Sequence, residues 1–179
     1  MDLRSLEQMR AEFAYKKVLD VKKPWKIKVK EKGMEVVKDI STDIQKKYGS
    51  YVKKAPVLIL NNGLGQTLAF YLSKLDEPLP LTNDSPMNHP YRTIADKIEK
   101  REDPEADKYR KAEAAAYAYL YTHISEWLMG NATNGVDPLR FYMNRSSIEV
   151  MRITDEAIAL LNWLKRFADA MLEKEESGE

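Results

Sequence analysis

The chain has 179 residues, 44% of them hydrophobic and 32% charged, a length that fits one domain with a sizeable core. Its formal net charge is +1, and it contains no Cys, which excludes disulfide bonds and thiolate metal sites. No stretch approaches the roughly 20 apolar residues of a membrane span, and the first residues lack the apolar core of a signal peptide. These features predict a cytoplasmic protein.

The near-zero net charge hides an asymmetry between the two parts of the chain. Residues 1–60 contain 15 Lys/Arg and 8 Asp/Glu, whereas residues 61–179 contain 14 and 20. A basic region attracts a polyanion even when the total charge is small. The alternative interpretation is a lysine-rich face that is simply solvated.

Hydrophobic spacing in the first third of the chain predicts a helix from Leu3 to Val21. Residues 25–30 then alternate apolar and basic side chains as a half-buried strand does, but no comparable partner strand follows. We therefore expect an extended connector there, or the start of the next helix. A second helix is predicted from Met34 to a terminator at Gly49, and a short helix containing Pro56 after it.

Helix-breaking and capping signals divide the rest of the chain. A break at Asn61-Asn62-Gly63 is followed by a predicted helix over 64–75, a proline-rich loop over 76–90 and a modest helix over 91–98. The next helix is predicted to start at Asp103-Pro104 and to stop at Gly130-Asn131. Another start signal lies at Asp137-Pro138, and a capping box at Ser146 precedes a long terminal helix. This pattern predicts an all-α protein, a compact multi-helix bundle of about six helices with short connecting loops. We expect residues 1–172 to form a single helical domain and residues 173–179 to form an acidic C-terminal tail.

Residue patterns typical of catalysis are absent. No Ser lies in a G-x-S-x-G context, and Gly63-Leu64-Gly65 lacks the third glycine of a dinucleotide fingerprint. His123 lies three residues before Glu126 on a helix, but it falls on an apolar stripe and two ligands do not complete a metal site. We predict no catalytic residue, no metal and no cofactor. The alternative is a metal-dependent nuclease that uses Asp/Glu and His123.

Lysines and aromatic residues cluster at two places. Residues 46–54 hold four lysines with Tyr48 and Tyr51, and residues 22–26 hold three lysines with Trp25. Lysine attracts phosphate and an aromatic ring offers a stacking face, so both clusters are candidates for nucleic-acid binding. The alternative is that the rings are buried and only the lysines face solvent.

Two segments carry a family resemblance, residues 51–70 with the run Asn62-Gly-Leu-Gly-Gln-Thr-Leu-Ala-Phe70, and residues 154–168 with Trp163-Leu-Lys-Arg-Phe-Ala168. The chain resembles the small helical subunit of the type III-B CRISPR (Cmr, RAMP module) RNA-guided effector complex. We expect much of the first run to maintain the fold, with its apolar residues packed against the terminal helix. The residues singled out as structural are Pro56, Gly63, Gln66, Phe70 and Trp163.

The resemblance implies a non-catalytic subunit of which several copies stack head to tail in a filament. The filament would lie beside the backbone subunit that holds the guide RNA and cuts the target, and together they would form the channel for target RNA. The implied partners are the other Cmr subunits, further copies of the chain, and target and guide RNA. The candidate RNA-binding residues are Lys46, Lys47, Lys53, Lys54, Lys165 and Arg166. The alternative is a helical protein–protein adaptor without direct RNA contact.

Overall fold

A computed structural model describes residues 4–75, 94–96, 98 and 108–174 of the chain, without the side chains of residues 108 and 109. Six helices and one two-stranded sheet lie in these ranges, with a short helical stretch at 94–96. In chain order they are α1 (Leu6–Val21), β1 (Lys26–Glu31), β2 (Met34–Asp39), α2 (Ser41–Asn62), α3 (Leu64–Ser73), α4 (Lys108–Asn131), α5 (Pro138–Asn144) and α6 (Ser147–Met171). The predicted all-α class is confirmed, with the hairpin as an addition.

Residues 25–39 correct the prediction of a connector followed by a helix. β1 and β2 pair antiparallel, with Lys26 opposite Asp39 and Glu31 opposite Met34. Lys32 and Gly33 form the connection, with φ of 50° and 81°. Two consecutive residues of positive φ match the right-handed twist of a hairpin, which is why a glycine is useful here. The predicted helix start at Met34 is therefore wrong, and helix begins only at Ser41.

The second correction concerns α2, which is continuous over 22 residues. Neither Gly49 nor Pro56 ends it, although proline removes one internal hydrogen bond. The buried residues Ile44, Tyr48 and Val52 anchor the helix on both sides of Gly49. Tertiary packing of this face outweighs the two unfavourable propensities. As predicted, a break follows at Gly63, whose φ is 82° and whose amide closes the helix on Ile59.

Most other predicted helix boundaries agree with the structure where it describes them, although α1 begins at Leu6, after the capping residue Ser5, and α3 ends at Ser73. Ser146 and Glu149 form the capping box at the start of α6, and Asp137 accepts hydrogen bonds from the amides of Leu139 and Arg140. α4 ends at Asn131. The loop over 76–90, the helix start at Asp103-Pro104, the first three residues and residues 175–179 of the tail lie outside the described residues.

The core is centred on α4, which is buried around nearly its whole circumference from Ala112 to Leu128. α1 packs on α6, α2 packs on α4 and α6, and α3 packs mainly on α2, α4 and α5. The terminal helix, against which the apolar residues of this run were expected to pack, is not among the main packing partners of α3. Among the described helices, none combines the length and apolar character that a membrane crossing requires.

Candidate nucleic-acid interface

The four lysines of α2 lie on one outward side of the helix. Lys46 and Lys53 are two turns, or about 10 Å, apart and so lie above one another, and Lys47 and Lys54 form the same arrangement beside them. Lys53 and Lys54 are exposed, and Lys46 and Lys47 are partly exposed. This placement follows from the inward face of the same helix, where every third or fourth residue is buried against α4.

An ion pair joins this side of α2 to the terminal helix. Lys53 Nζ lies 2.7 Å from Asp169 Oδ1 of α6, and the Glu173 amide donates to Gln45 Oε1 over 3.2 Å. α2 and α6 therefore run antiparallel here. Lys165 lies one turn before Asp169, on the same exposed side of α6. The structure thus brings Lys165 to the edge of the α2 lysines, and we call these five lysines the basic surface.

Arg166 lies farther around α6. Its guanidinium is 5.8 Å from the centre of the Trp163 ring, and the Trp163 indole donates to Glu7 Oε1 of α1 over 2.7 Å. Arg166, one of the six predicted RNA-binding residues, therefore lies on the side of α6 that faces α1 and is not part of the basic surface. Lys46, Lys54 and Lys165 form no ion pair with any residue that the structure describes. These three ammonium groups are the strongest candidates for phosphate contacts.

The aromatic residues near the lysines are occupied inside the protein. Tyr48 is fully buried, and its hydroxyl lies 2.8 Å from His123 Nδ1. Tyr51 stacks on Tyr117 with ring centres 4.1 Å apart. Trp25 is 9% exposed and packs edge-on against Tyr119. The core interpretation is correct for Tyr48 and Trp25, whereas Tyr51 is partly buried with one ring face covered by Tyr117, so the surface offers mainly charge.

His123 is a core residue, as its place on the apolar stripe predicted. Burial lowers its pKa well below the ordinary value, and the nearby charge of Lys17 lowers it further. Glu126 pairs instead with Lys17. Within the described part of the chain, no three His, Asp or Glu side chains come together to hold a metal ion.

The glycine-rich run fits closely around Tyr142 of α5. A methyl group on Gly65 would lie 2.7 Å from two carbons of the Tyr142 ring, and one on Gly63 would lie 3.5 Å from its hydroxyl. The Thr67 hydroxyl donates to the Gly63 carbonyl over 2.9 Å, while Gln66 is exposed. The glycines of this run therefore allow α3 and α5 to pack closely.

The other predicted structural residues contact their surroundings as follows. Phe70 is 40% exposed, with its ring edge-on to Tyr117 and the Lys74 ammonium over it. Pro56 is partly buried within α2, and Trp163 stacks on Phe167.

Sequence reasoning missed a charged cluster between α1 and α6. Arg10 donates to both carboxylate oxygens of Glu156, over 2.8 and 2.7 Å, and the Trp127 indole donates to the same carboxylate over 2.6 Å. The hydrogen bonds from Arg10, and then that from Trp127, hold the pKa of Glu156 below its ordinary value against the effect of burial. Because 146 residues separate Arg10 from Glu156, no local pattern could reveal the pair.

A known protein family matches nearly the whole length of the chain. Residues 6–171 match the family described as CRISPR-associated protein (Cas_Cmr5). The chain belongs to the Cas_Cmr5 family. It is accordingly a Cmr5 subunit of a type III-B CRISPR effector complex, and it acts with the other Cmr subunits. Members of this family are generally non-catalytic subunits. The predicted family is confirmed.

Proposed function

We propose that this Cmr5 subunit is a non-catalytic structural subunit whose copies stack head to tail in a filament that lines the target-RNA channel. In this role it supports RNA-guided cleavage of target RNA in antiviral defence, in the cytoplasm, beside the backbone subunit that holds the guide RNA. The observation that carries the proposal is the basic surface. It presents exposed ammonium groups from two adjoining helices, which suits a sequence-independent grip on phosphates.

Exposed apolar side chains support the stacking. Met34 and Val37 of the hairpin are 69% and 59% exposed, and Ile148 and Met151 at the start of α6 are 70% and 65% exposed. Such groups favour contact with another protein surface.

The positions of these two groups suit a head-to-tail contact. The Ile40 amide donates to the Trp25 carbonyl, so the hairpin is attached at the first turn of α2. Tyr142 of α5 lies against Gly63 at the far end of α2, and α6 begins just after α5. The 22 residues of α2 separate the two attachments by about 33 Å.

The acidic residues near the core have structural contacts, which supports a non-catalytic role. Glu156 binds Arg10 and Trp127, Asp137 caps α5, and Glu149 caps α6. A nuclease that used His123 would need a histidine open to water, whereas His123 is 3% exposed.

Omission of the subunit tests the proposal. The type III-B complex is reconstituted with and without this chain, and guide-RNA loading and target-RNA binding are measured separately. We expect target binding to weaken while guide loading persists, and the wild-type chain to restore target binding when it is added back. Equal target affinity with and without the chain would contradict the channel role.

The second candidate is an adaptor that holds neighbouring subunits together without touching RNA, and the exposed apolar side chains favour it. Ultraviolet crosslinking of the reconstituted complex to target RNA separates the two. Crosslinks to peptides from α2 and α6 support the channel role, whereas assembly without any RNA crosslink to this chain supports the adaptor.

A further inference from the structure

A cleft of about 670 Å³ opens where α1, the end of α4, α5 and the first turns of α6 meet. The charged side chains inside the cleft bind to other groups of the same chain. Arg10 pairs with Glu156, and the Glu149 carboxylate accepts hydrogen bonds from the Ser146 amide and hydroxyl. The basic surface proposed to bind RNA does not include this cleft.

Unlike Arg10 inside the cleft, two arginines at its mouth have no carboxylate of the described residues bound to them. Arg145 and Arg152 are both exposed, and neither forms an ion pair with a residue in the described ranges, although their charges help to lower the pKa of the nearby Glu149. The Arg145 guanidinium lies 5.1 Å from the centre of the Phe141 ring, which fixes it over an apolar wall. Asp155 is the one acidic residue of the described lining that no hydrogen bond or ion pair engages. The mouth therefore offers two guanidinium groups to an acidic partner.

The chain carries such an acidic segment at the opposite end of α6. Residues 173–179 read Glu-Lys-Glu-Glu-Ser-Gly-Glu, with four acidic side chains and one basic one. From Ser147 to Met171, α6 spans about 37 Å, whereas seven extended residues reach at most about 25 Å. The segment therefore falls short of Arg145 in its own chain, but a neighbouring copy placed end to end can supply it.

We propose that the cleft receives residues 173–179 of a second copy, whose glutamates pair with Arg145 and Arg152. This inference rests on the head-to-tail stacking proposed above and adds the contact that gives the stack its direction. The exposed side chains of Met143, Ile148 and Met151 beside the cleft are covered by the body of the same neighbour.

Engineered cysteines test the contact, because the natural chain has none. One full-length variant carries Asn144→Cys beside Arg145, and another carries Ser177→Cys, which leaves all four glutamates in place. The two are mixed, oxidised and separated on a non-reducing gel, and we expect a disulfide-linked heterodimer. As a matched control, Ala69→Cys on the exposed side of α3, outside the basic surface, replaces Asn144→Cys, and we expect little heterodimer.

Charge reversal makes the test specific. Arg145→Glu with Arg152→Glu, added to the Asn144→Cys variant, should lower the heterodimer yield about tenfold. Reversal of the four tail glutamates to Lys should lower it similarly, and combining the two reversed partners should restore it. An unchanged yield in the reversed variants would overturn the proposal, and so would an arginine reversal that lowers RNA binding alone.

Sedimentation of the uncrosslinked chain and inspection of copy contacts in the reconstituted complex separate this inference from the stacking on which it rests. If copies pack end to end but no heterodimer forms, the tail contact is wrong and the stacking stands. If copies do not contact one another at all, both are wrong.

Discussion

The inward face of α2 buries Tyr48 and Val52 against α4, whereas its outward face carries Lys53 and Lys54 into solvent. Truncation of an inward side chain leaves a cavity or an unpaired polar group, so it changes the free energy of unfolding. The outward lysines contribute little to stability, because exposed charges are well solvated. Stability and RNA binding should therefore respond to different substitutions on the same helix.

The largest expected effect is at Tyr48. Tyr48→Ala removes a fully buried ring and leaves His123 Nδ1 without its partner, and we expect a loss of about 3–5 kcal/mol in the free energy of unfolding. Denaturant titration measures it, with the nearby Lys54→Ala as the control that should change stability by less than about 0.5 kcal/mol. Similar losses in the two variants would refute the contrast between the faces.

The second prediction compares two glycines. Gly65→Ala should destabilise the chain by about 1–3 kcal/mol, because the added methyl group meets the Tyr142 ring at 2.7 Å. Gly49→Ala adds the same group within α2, where nothing lies within 4 Å, and should stabilise by about 0.5–1 kcal/mol. Thermal unfolding of both variants checks the pair. Opposite signs support the packing described here, and equal signs contradict it.

The third prediction concerns the pH dependence of stability, which we expect to arise from His123, the buried partner of Tyr48 on α4. The pKa of His123 is well below its ordinary value in the folded chain, so the unfolded chain binds the proton first as the pH falls below about 6.5. The free energy of unfolding should then fall by up to about 1.4 kcal/mol per pH unit. Denaturation at pH 7.5, 6.5 and 5.5 measures this slope. His123→Phe should flatten it and His89→Gln should retain it, whereas the same slope in both variants would exclude His123 as the cause.

The smallest stability effect is expected at the ion pair that joins the basic surface to α6. The side chains of Lys53 and Asp169 are 44% and 39% exposed, so solvent screens the pair and Lys53→Ala should cost at most about 1 kcal/mol. A double-mutant cycle with Asp169→Ala isolates the coupling between them. A coupling well above that range would mean that the basic surface also holds α2 and α6 together.

Much of the fold was predictable because its signals are local. The apolar stripe of α4 and the capping residues Asp137 and Ser146 lie within a few residues of the structure that they specify. The hairpin was missed because Met34, Val37 and Ile40 also fit helical spacing, and because a Lys-Gly connection is a weaker turn signal than Asn-Gly. The continuity of α2 through Pro56 depends on burial against α4, which no local pattern reports.

The candidate site was predictable in part. The sequence singled out the lysines of residues 46–54 as a cluster, but the predicted end of the helix at Gly49 put Lys46 and Lys53 on separate helices. Their place on one side of α2 follows from the continuity of that helix, and the proximity of Lys165 depends on the packing of α2 against α6. The sequence left open whether the rings of Tyr48 and Tyr51 are available for base stacking. The structure shows that Tyr48 is fully buried against His123 and that Tyr51 stacks on Tyr117. Arg145 and Arg152 gave no signal, because the cleft between them forms only when four helices meet.

The most direct test of the central claim is the salt dependence of target-RNA binding by the reconstituted complex. The five lysines of the basic surface, Lys46, Lys47, Lys53, Lys54 and Lys165, are all replaced by Glu, and affinity is measured across a range of salt concentrations. If these residues bind phosphates, affinity falls, and the slope of log affinity against log salt becomes shallower by roughly 0.7 for each phosphate that the variant no longer neutralises. Unfolding measurements should show that the variant is still folded. Unchanged affinity and slope in a folded variant would contradict the claim that this surface binds target RNA.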